Sequence, residues 1–196
     1  MKKGDQTRER ILAQAAPVFN THGYEGATLS QLMQATGLEK GGIYRHFRNK
    51  EDLAAESFKY AWSEVLQARL AGLDQVPTSL GKLRHILDNF IEVRSPIPGG
   101  CPLLNTASDS DDGNPVLRDL AEKTLRGWKM RLMGILEGGI AAGEIQPLVS
   151  PKTTANVMIA TLEGAVMMTR LEGNYDALKD ARTALIAYLD SIAVKG

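Results

Sequence analysis

The 196-residue sequence has little that would staple or anchor it. There is one cysteine, Cys101, so no disulfide can form within the chain, and a reducing compartment is expected. No run of about 18 apolar residues occurs, which excludes a helical membrane span. The opening residues, MKKGDQTRER, lack the apolar stretch of a secretory signal, so a cytoplasmic protein is expected. His22, His46 and His85 lie far apart and show no metal-ligand spacing. They also bring no recognisable catalytic surroundings to Cys101, so neither an enzyme nor a cofactor is expected. The acidic stretch DSDDGN lacks the spacing and terminal glutamate of a calcium loop and reads as a solvated turn. No strand, repeat or low-complexity tract stands out.

Net charge is also absent, with 23 basic and 23 acidic residues, but the balance is uneven along the chain. Residues 1–50 hold eight Lys/Arg, Lys2 and Lys3 among them, against four Asp/Glu, a net +4; the other 146 residues carry −4. A basic end on an acidic body points to a polyanion meeting one end only.

What is there is helical periodicity, which predicts an all-α chain. A first helix is expected over about Asp5 to His22, interrupted by Pro17 and closed by Gly23. Thr28 and Gln31 have capping-box spacing, opening a second helix that Gly37 stops. A third short helix is expected from Lys40 to Phe47. Longer helices follow over about Glu51–Gly72, Ser79–Val93, Pro115–Ala142, Pro151–Glu172 and Asp176–Ala193, with a shorter one starting at Cys101 or Pro102.

The first three helices form a helix-turn-helix candidate. Ile43 and Phe47, four apart, should face inward with Phe19, Leu32 and Leu38. Gly41 and Gly42 let the backbone approach a duplex closely. Tyr44 and His46 can donate to phosphates, and Lys40, Arg45, Arg48 and Lys50 supply counter-charge. The amides at the start of the Thr28 helix can face a phosphate.

The longer string Ala16, Phe19, Gly23-Tyr24, Thr28, Leu32, Ala35, Gly37-Leu38, Gly41, Tyr44, His46-Phe47, Lys50 and Asp52-Leu53 resembles the N-terminal signature of the tetracycline-repressor (TetR) family over about residues 8 to 55. The resemblance implies a DNA-binding domain over residues 1–50 and a helical ligand-binding and dimerisation domain over 51–196, with about nine helices in all. It implies a homodimeric regulator, usually a repressor, released from double-stranded operator DNA by a small effector. It assigns DNA-backbone contacts to Thr28, Tyr44, His46 and Lys50, and base contacts to Ser30, Lys40, Gly41, Gly42 and Arg45. Ala27 and Met33 depart from the residues common in the family, Thr and Ala. Gly42 offers no side chain for base reading, so Lys40, Arg45 and Ser30 are expected to carry the readout.

In the body, the helix from Pro151 is apolar nearly all round and the last helix has one apolar face. A symmetric contact between two subunits is therefore expected through Met158, Leu162, Val166, Leu178, Leu185, Tyr188 and Leu189. Phe58, Trp62, Phe90, Cys101, Trp128, Met158 and Leu162 are candidates to line a pocket for an apolar or aromatic effector. Cys101, beside Pro102 at a helix start, has two readings. It is a thiol sensor of electrophiles or oxidants, or a small buried hydrophobe. A helical protein-interaction module without DNA binding is the alternative of another class.

Overall fold

The expected amphipathic segments become nine α-helices among the described residues, 3–194, of the computed structural model. Lys2 lies outside the described residues, as does the side chain of Lys3. Helix α1 (Lys3–Gly26) runs through Pro17 and leaves helical geometry at Gly23, where φ is 72°. Thr28 caps α2 (Leu29–Thr36) with the full reciprocal box: its Oγ1 accepts the Gln31 amide at 3.2 Å, and Gln31 Oε1 accepts the Thr28 amide at 2.8 Å. Gly37, with φ 64°, ends α2 in the left-handed conformation and donates its amide to the Met33 carbonyl.

Helix α3 (Lys40–Tyr44) is shorter than the predicted Lys40–Phe47. Its two glycines weaken the helix, and the His46 amide turns back to the Ile43 carbonyl at 3.0 Å. The next helix, α4 (Lys50–Leu70), is already initiated by Asn49, whose Oδ1 accepts the Asp52 amide at 2.8 Å. Phe47 thus sits in a tight turn, yet both predicted anchors are inside: Ile43 is 0% exposed and Phe47 2%. They pack with Ile11, Leu12, Ala15, Leu32 and Leu53, and Phe19 and Leu38 cover the cluster from its edge.

The chain divides into two compact units: residues up to Leu66 with Ser95–Thr124, and Gln67–Arg94 with Leu125 onward. The boundary falls inside α4 and inside α7 (Pro115–Ala141). Packing therefore groups the first three helices with α6 (Pro102–Ser110), whereas the sequence reading divides the chain at residue 50. The reason is polar. Asn105 Nδ2 donates to the Asn20 carbonyl at 2.9 Å, and Asp109 accepts the Tyr24 amide at 2.7 Å, so α6 satisfies the end of α1. Asp109 belongs to this helix rather than to the solvated turn expected there.

The second unit contains α5 (Ser79–Glu92), the rest of α7, α8 (Pro151–Glu172) and α9 (Asp176–Ile192), with a 3₁₀ turn at Leu73–Gln75 that the sequence reading did not include. Ser150 caps α8, with Pro151 in its first turn, as predicted. Arg182 pairs with Asp88 at 2.6 Å, joining α9 to α5, and the Thr154 and Tyr188 hydroxyls meet at 2.9 Å between α8 and α9.

The side chains expected at a subunit interface are mostly inside the single chain. Met158, Leu162, Leu178, Leu185 and Leu189 are buried within this one chain, because α8 and α9 pack on each other; Val166 and Tyr188 are half-buried. What stays in water on α8 is a different stripe, Val157, Met167, Met168 and Leu171, the last 80% exposed.

Replacing Gly37 by alanine meets no neighbouring atom but forces a Cβ into left-handed backbone. Gly37→Ala is expected to destabilise the first unit by about 1 kcal/mol, seen as a lower urea midpoint with unchanged slope.

Candidate nucleic-acid interface

Burial of Ile43 and Phe47 fixes which way everything else on the segment points. Thr28, Ser30, Lys40, Gly41 and Arg45 are exposed, and Gly42, Tyr44, His46 and Lys50 are half-buried; none of the nine sequence-predicted residues is in the core. They belong to α2 and its N-cap, to α3, to the turn between α3 and α4, and to the first residue of α4, all within the first unit. The Thr28 hydroxyl is already committed to the capping box, lying 2.8 Å from Gln31 Oε1. The Leu29 and Ser30 amides, which helix geometry leaves without an intrahelical acceptor, are the donors at that end.

The cations differ in how they are held. Arg48 pairs with Asp52 at 3.1 Å while its side chain stays 86% exposed. Lys50 rests over the Tyr24 ring, its ammonium 4.7 Å from the centroid, and donates to the Glu25 carbonyl at 3.5 Å. Arg8, from α1, lies over the Phe47 ring and pairs with Glu56 of α4 at 2.7 Å. Burial, reinforced by the charges of Glu51 and Glu25, pushes the Tyr24 phenol up, so it stays neutral under the Lys50 ammonium.

Asp52 locks the turn after α3. Its Oδ2 accepts the Arg48 amide at 3.0 Å, and that backbone bond is the main reason its carboxyl is held below the usual carboxylate range; the Arg48 side chain adds to it. Glu56 is lowered as well, first by Arg8 and then by Lys59.

This arrangement is a helix-turn-helix with a polar, cationic outer surface, and comparison with known proteins agrees. Residues 11–56 match the family model for bacterial regulatory proteins of the tetR family, and residues 79–185 match the tetracyclin repressor-like C-terminal domain. The chain belongs to the TetR family of transcriptional regulators. It is 44% identical to a TetR transcriptional regulator of Chloroflexus aurantiacus J-10-fl, whose crystal structure superposes with a TM-score of 0.93 over 98% of both chains. A TetR-family regulator of Cytophaga hutchinsonii is 35% identical, with a TM-score of 0.93 over 100% of this chain and 99% of the other. Among curated proteins, the HTH-type transcriptional repressor DhaR of Mycobacterium sp. (strain GP1) is 22% identical over 183 residues, 93% of this chain and 91% of that one. All three relatives are named as transcriptional regulators or repressors, and no helix among the described residues is long and apolar enough to cross a membrane.

The predicted pocket residues of this TetR-family chain divide between its two units. Phe58, Trp62 and Cys101 belong to the first; Phe90, Trp128, Met158 and Leu162 belong to the second and are buried. Phe58 lines a small cavity in the first unit together with Phe19, Ser57, Asn105 and Asp109. Its volume is about 30 Å³, which suits one or two water molecules and falls far short of the roughly 300 Å³ of a drug-sized site. Phe90 lies under the Arg69 guanidinium, 4.5 Å from its centroid. Cys101 is the half-buried N-cap residue of α6, and its carbonyl accepts the Asn105 amide at 3.0 Å.

Because folding depresses the Asp52 and Glu56 pKa values, their contribution is complete above the unfolded carboxylate range, near pH 4, and is lost as pH falls through the lower folded values. The melting temperature should therefore fall between about pH 5 and pH 3. Asp52→Asn should melt lower at neutral pH and show a shallower decline, measured by circular dichroism across that range.

Proposed function

We propose that this TetR-family protein is a homodimeric repressor that binds an inverted-repeat operator and leaves it when a small molecule binds elsewhere in the chain. The observation that carries the reading is the one-sided character of the Lys40–Lys50 segment. Its two large apolar side chains are buried, Lys40, Arg45 and Arg48 are exposed, and Tyr44, His46 and Lys50 are half-buried. In this reading Thr28, Tyr44, His46 and Lys50 hold the phosphate backbone, with help from the leading amides of α2. Ser30, Lys40 and Arg45 read bases, while Gly41 and Gly42 admit close approach of the backbone. Residues 1–50 are the reading head and 51–196 the effector-binding and dimerising body. The name of DhaR, a repressor, supports the sign of regulation. A cytoplasmic location follows from DNA as the partner.

Dimerisation is supported by α8. A stripe of Val157, Met167, Met168 and Leu171 exposed to water is apolar surface that a second copy can cover. Two-fold symmetry would present two reading heads to half-sites about 34 Å apart. The effector is apolar or aromatic in this reading. The water-sized cavity beside Phe58 does not admit such a molecule as it stands, so uptake there requires the helices of the first unit to part. That opening is where an affinity difference between two states would arise.

Wild-type protein should select a palindromic duplex from random-sequence DNA and bind it with a steep salt dependence. Arg45→Ala should weaken that binding about tenfold and relax preference at one base position in each half-site. Unchanged selectivity would remove Arg45 from the readout. Separately, Met168→Glu with Leu171→Glu should convert a dimer to a monomer in sedimentation analysis without lowering helicity. A wild-type monomer at micromolar concentration would end the dimer reading.

A further inference from the structure

One acidic side chain has no role in the reading above. Asp109, in the last turn of α6, reaches across to α1 and accepts the Tyr24 amide at 2.7 Å through Oδ2. The approach is very close. A Cβ built on Gly23 would sit 2.5 Å from Asp109 Oδ1 and 2.9 Å from its Cγ, so only glycine at position 23 leaves the carboxylate room. Gly23 also has φ 72°, which releases the chain from the helix and turns the Tyr24 amide outward to be captured. One turn earlier on α6, Asn105 donates to the Asn20 carbonyl and to its side-chain oxygen, at 2.9 and 3.0 Å. An i, i+4 pair on α6 therefore takes one carbonyl and one amide from the end of α1.

The turn so captured carries something. Lys50 meets the protein at two places on it: the Tyr24 ring, 4.7 Å from the ammonium, and the Glu25 carbonyl, 3.5 Å away. Both belong to the residues directly after Gly23. A lysine ammonium on a flexible four-carbon stem has no fixed position of its own, so its placement is set by what it rests on.

We propose that Asp109 is a positioning residue for DNA binding: by holding the Tyr24 amide it fixes the Tyr24–Glu25 turn on which Lys50 rests, so that α6 sets where a phosphate-binding cation lies. The inference deepens the DNA-binding reading and rests on Lys50 as a phosphate contact. It makes the position of α6 legible at the DNA surface through four residues, Asp109, Gly23, Tyr24 and Lys50. The part Asp109 plays is that of a hydrogen-bond acceptor rather than a charge, since a negative charge near a duplex by itself opposes binding.

The test compares full-length variants on the duplex selected by wild-type protein, with affinity measured from about 50 to 200 mM salt. Lys50→Gln should lower the salt slope by about 0.9 per bound subunit, the loss of one phosphate contact. Asp109→Ala should weaken binding about fivefold to tenfold and lower the slope in the same direction. Asp109→Asn, equally uncharged but with an oxygen to accept the amide, should bind at least as tightly as wild type. In the Lys50→Gln background, Asp109→Ala should add no further loss, because its effect travels through that lysine. If Asp109→Ala does not melt cooperatively, Asp109→Ser, whose hydroxyl is too short to reach the amide, makes the same comparison.

An unchanged slope in Lys50→Gln would bring down the phosphate reading itself. A normal Lys50→Gln response with Asp109→Ala binding like wild type would overturn only the positioning role. So would full additivity of the two substitutions, or failure of Asp109→Asn to restore affinity, since each marks a structural effect acting elsewhere.

Discussion

The burial of Ile43 and Phe47 is the constraint on which the rest of the reading head depends. A helix of five residues with two glycines has no stability of its own; nucleation alone is too costly at that length. It exists because two side chains four apart enter a cluster already formed by Ile11, Leu12, Ala15, Leu32 and Leu53. That contact fixes the rotation of the segment about its axis, and the rotation determines that Lys40, Gly41 and Arg45 stay in water. The surface proposed to face DNA in this TetR-family protein is in this sense a by-product of core packing.

Carboxylates do the finer placement. Asp52 takes the Arg48 amide and holds the turn after α3, and Asp109 takes the Tyr24 amide and holds the last turn of α1, beyond Gly23. Both bonds supply a side-chain oxygen acceptor to a backbone donor that helix geometry leaves free. The two turns lie on either side of Lys50, which begins α4 and rests on the second of them. Local charge chemistry therefore acts here on backbone position and only through it on the cations that a duplex would meet.

In the second unit the physical logic is reversed. Its helices are long enough to stand on apolar contacts, and α8 is apolar on more faces than α9 and its other neighbours cover. The excess remains as the Val157, Met167, Met168 and Leu171 stripe. Periodicity announced the excess but not its address. A helix that is apolar nearly all round gives no indication of which side meets its own chain.

The sequence by itself determined the all-α class, the capping box at Thr28 and Gln31, the stops at Gly23 and Gly37, and the inward pair Ile43 and Phe47. Each is written in contacts between residues fewer than five apart, where spacing and residue type suffice. The family signature over residues 8 to 55 is legible for the same reason: its motif is nearly continuous in the chain. What only the tertiary structure decided is that α6 completes the end of α1 through Asn105 and Asp109, some 85 residues on, that the acidic stretch begins inside a helix, and that Lys50 rests on Tyr24. Such contacts leave no periodic trace, because a single aspartate that accepts a distant amide looks, in one dimension, like any aspartate near a turn.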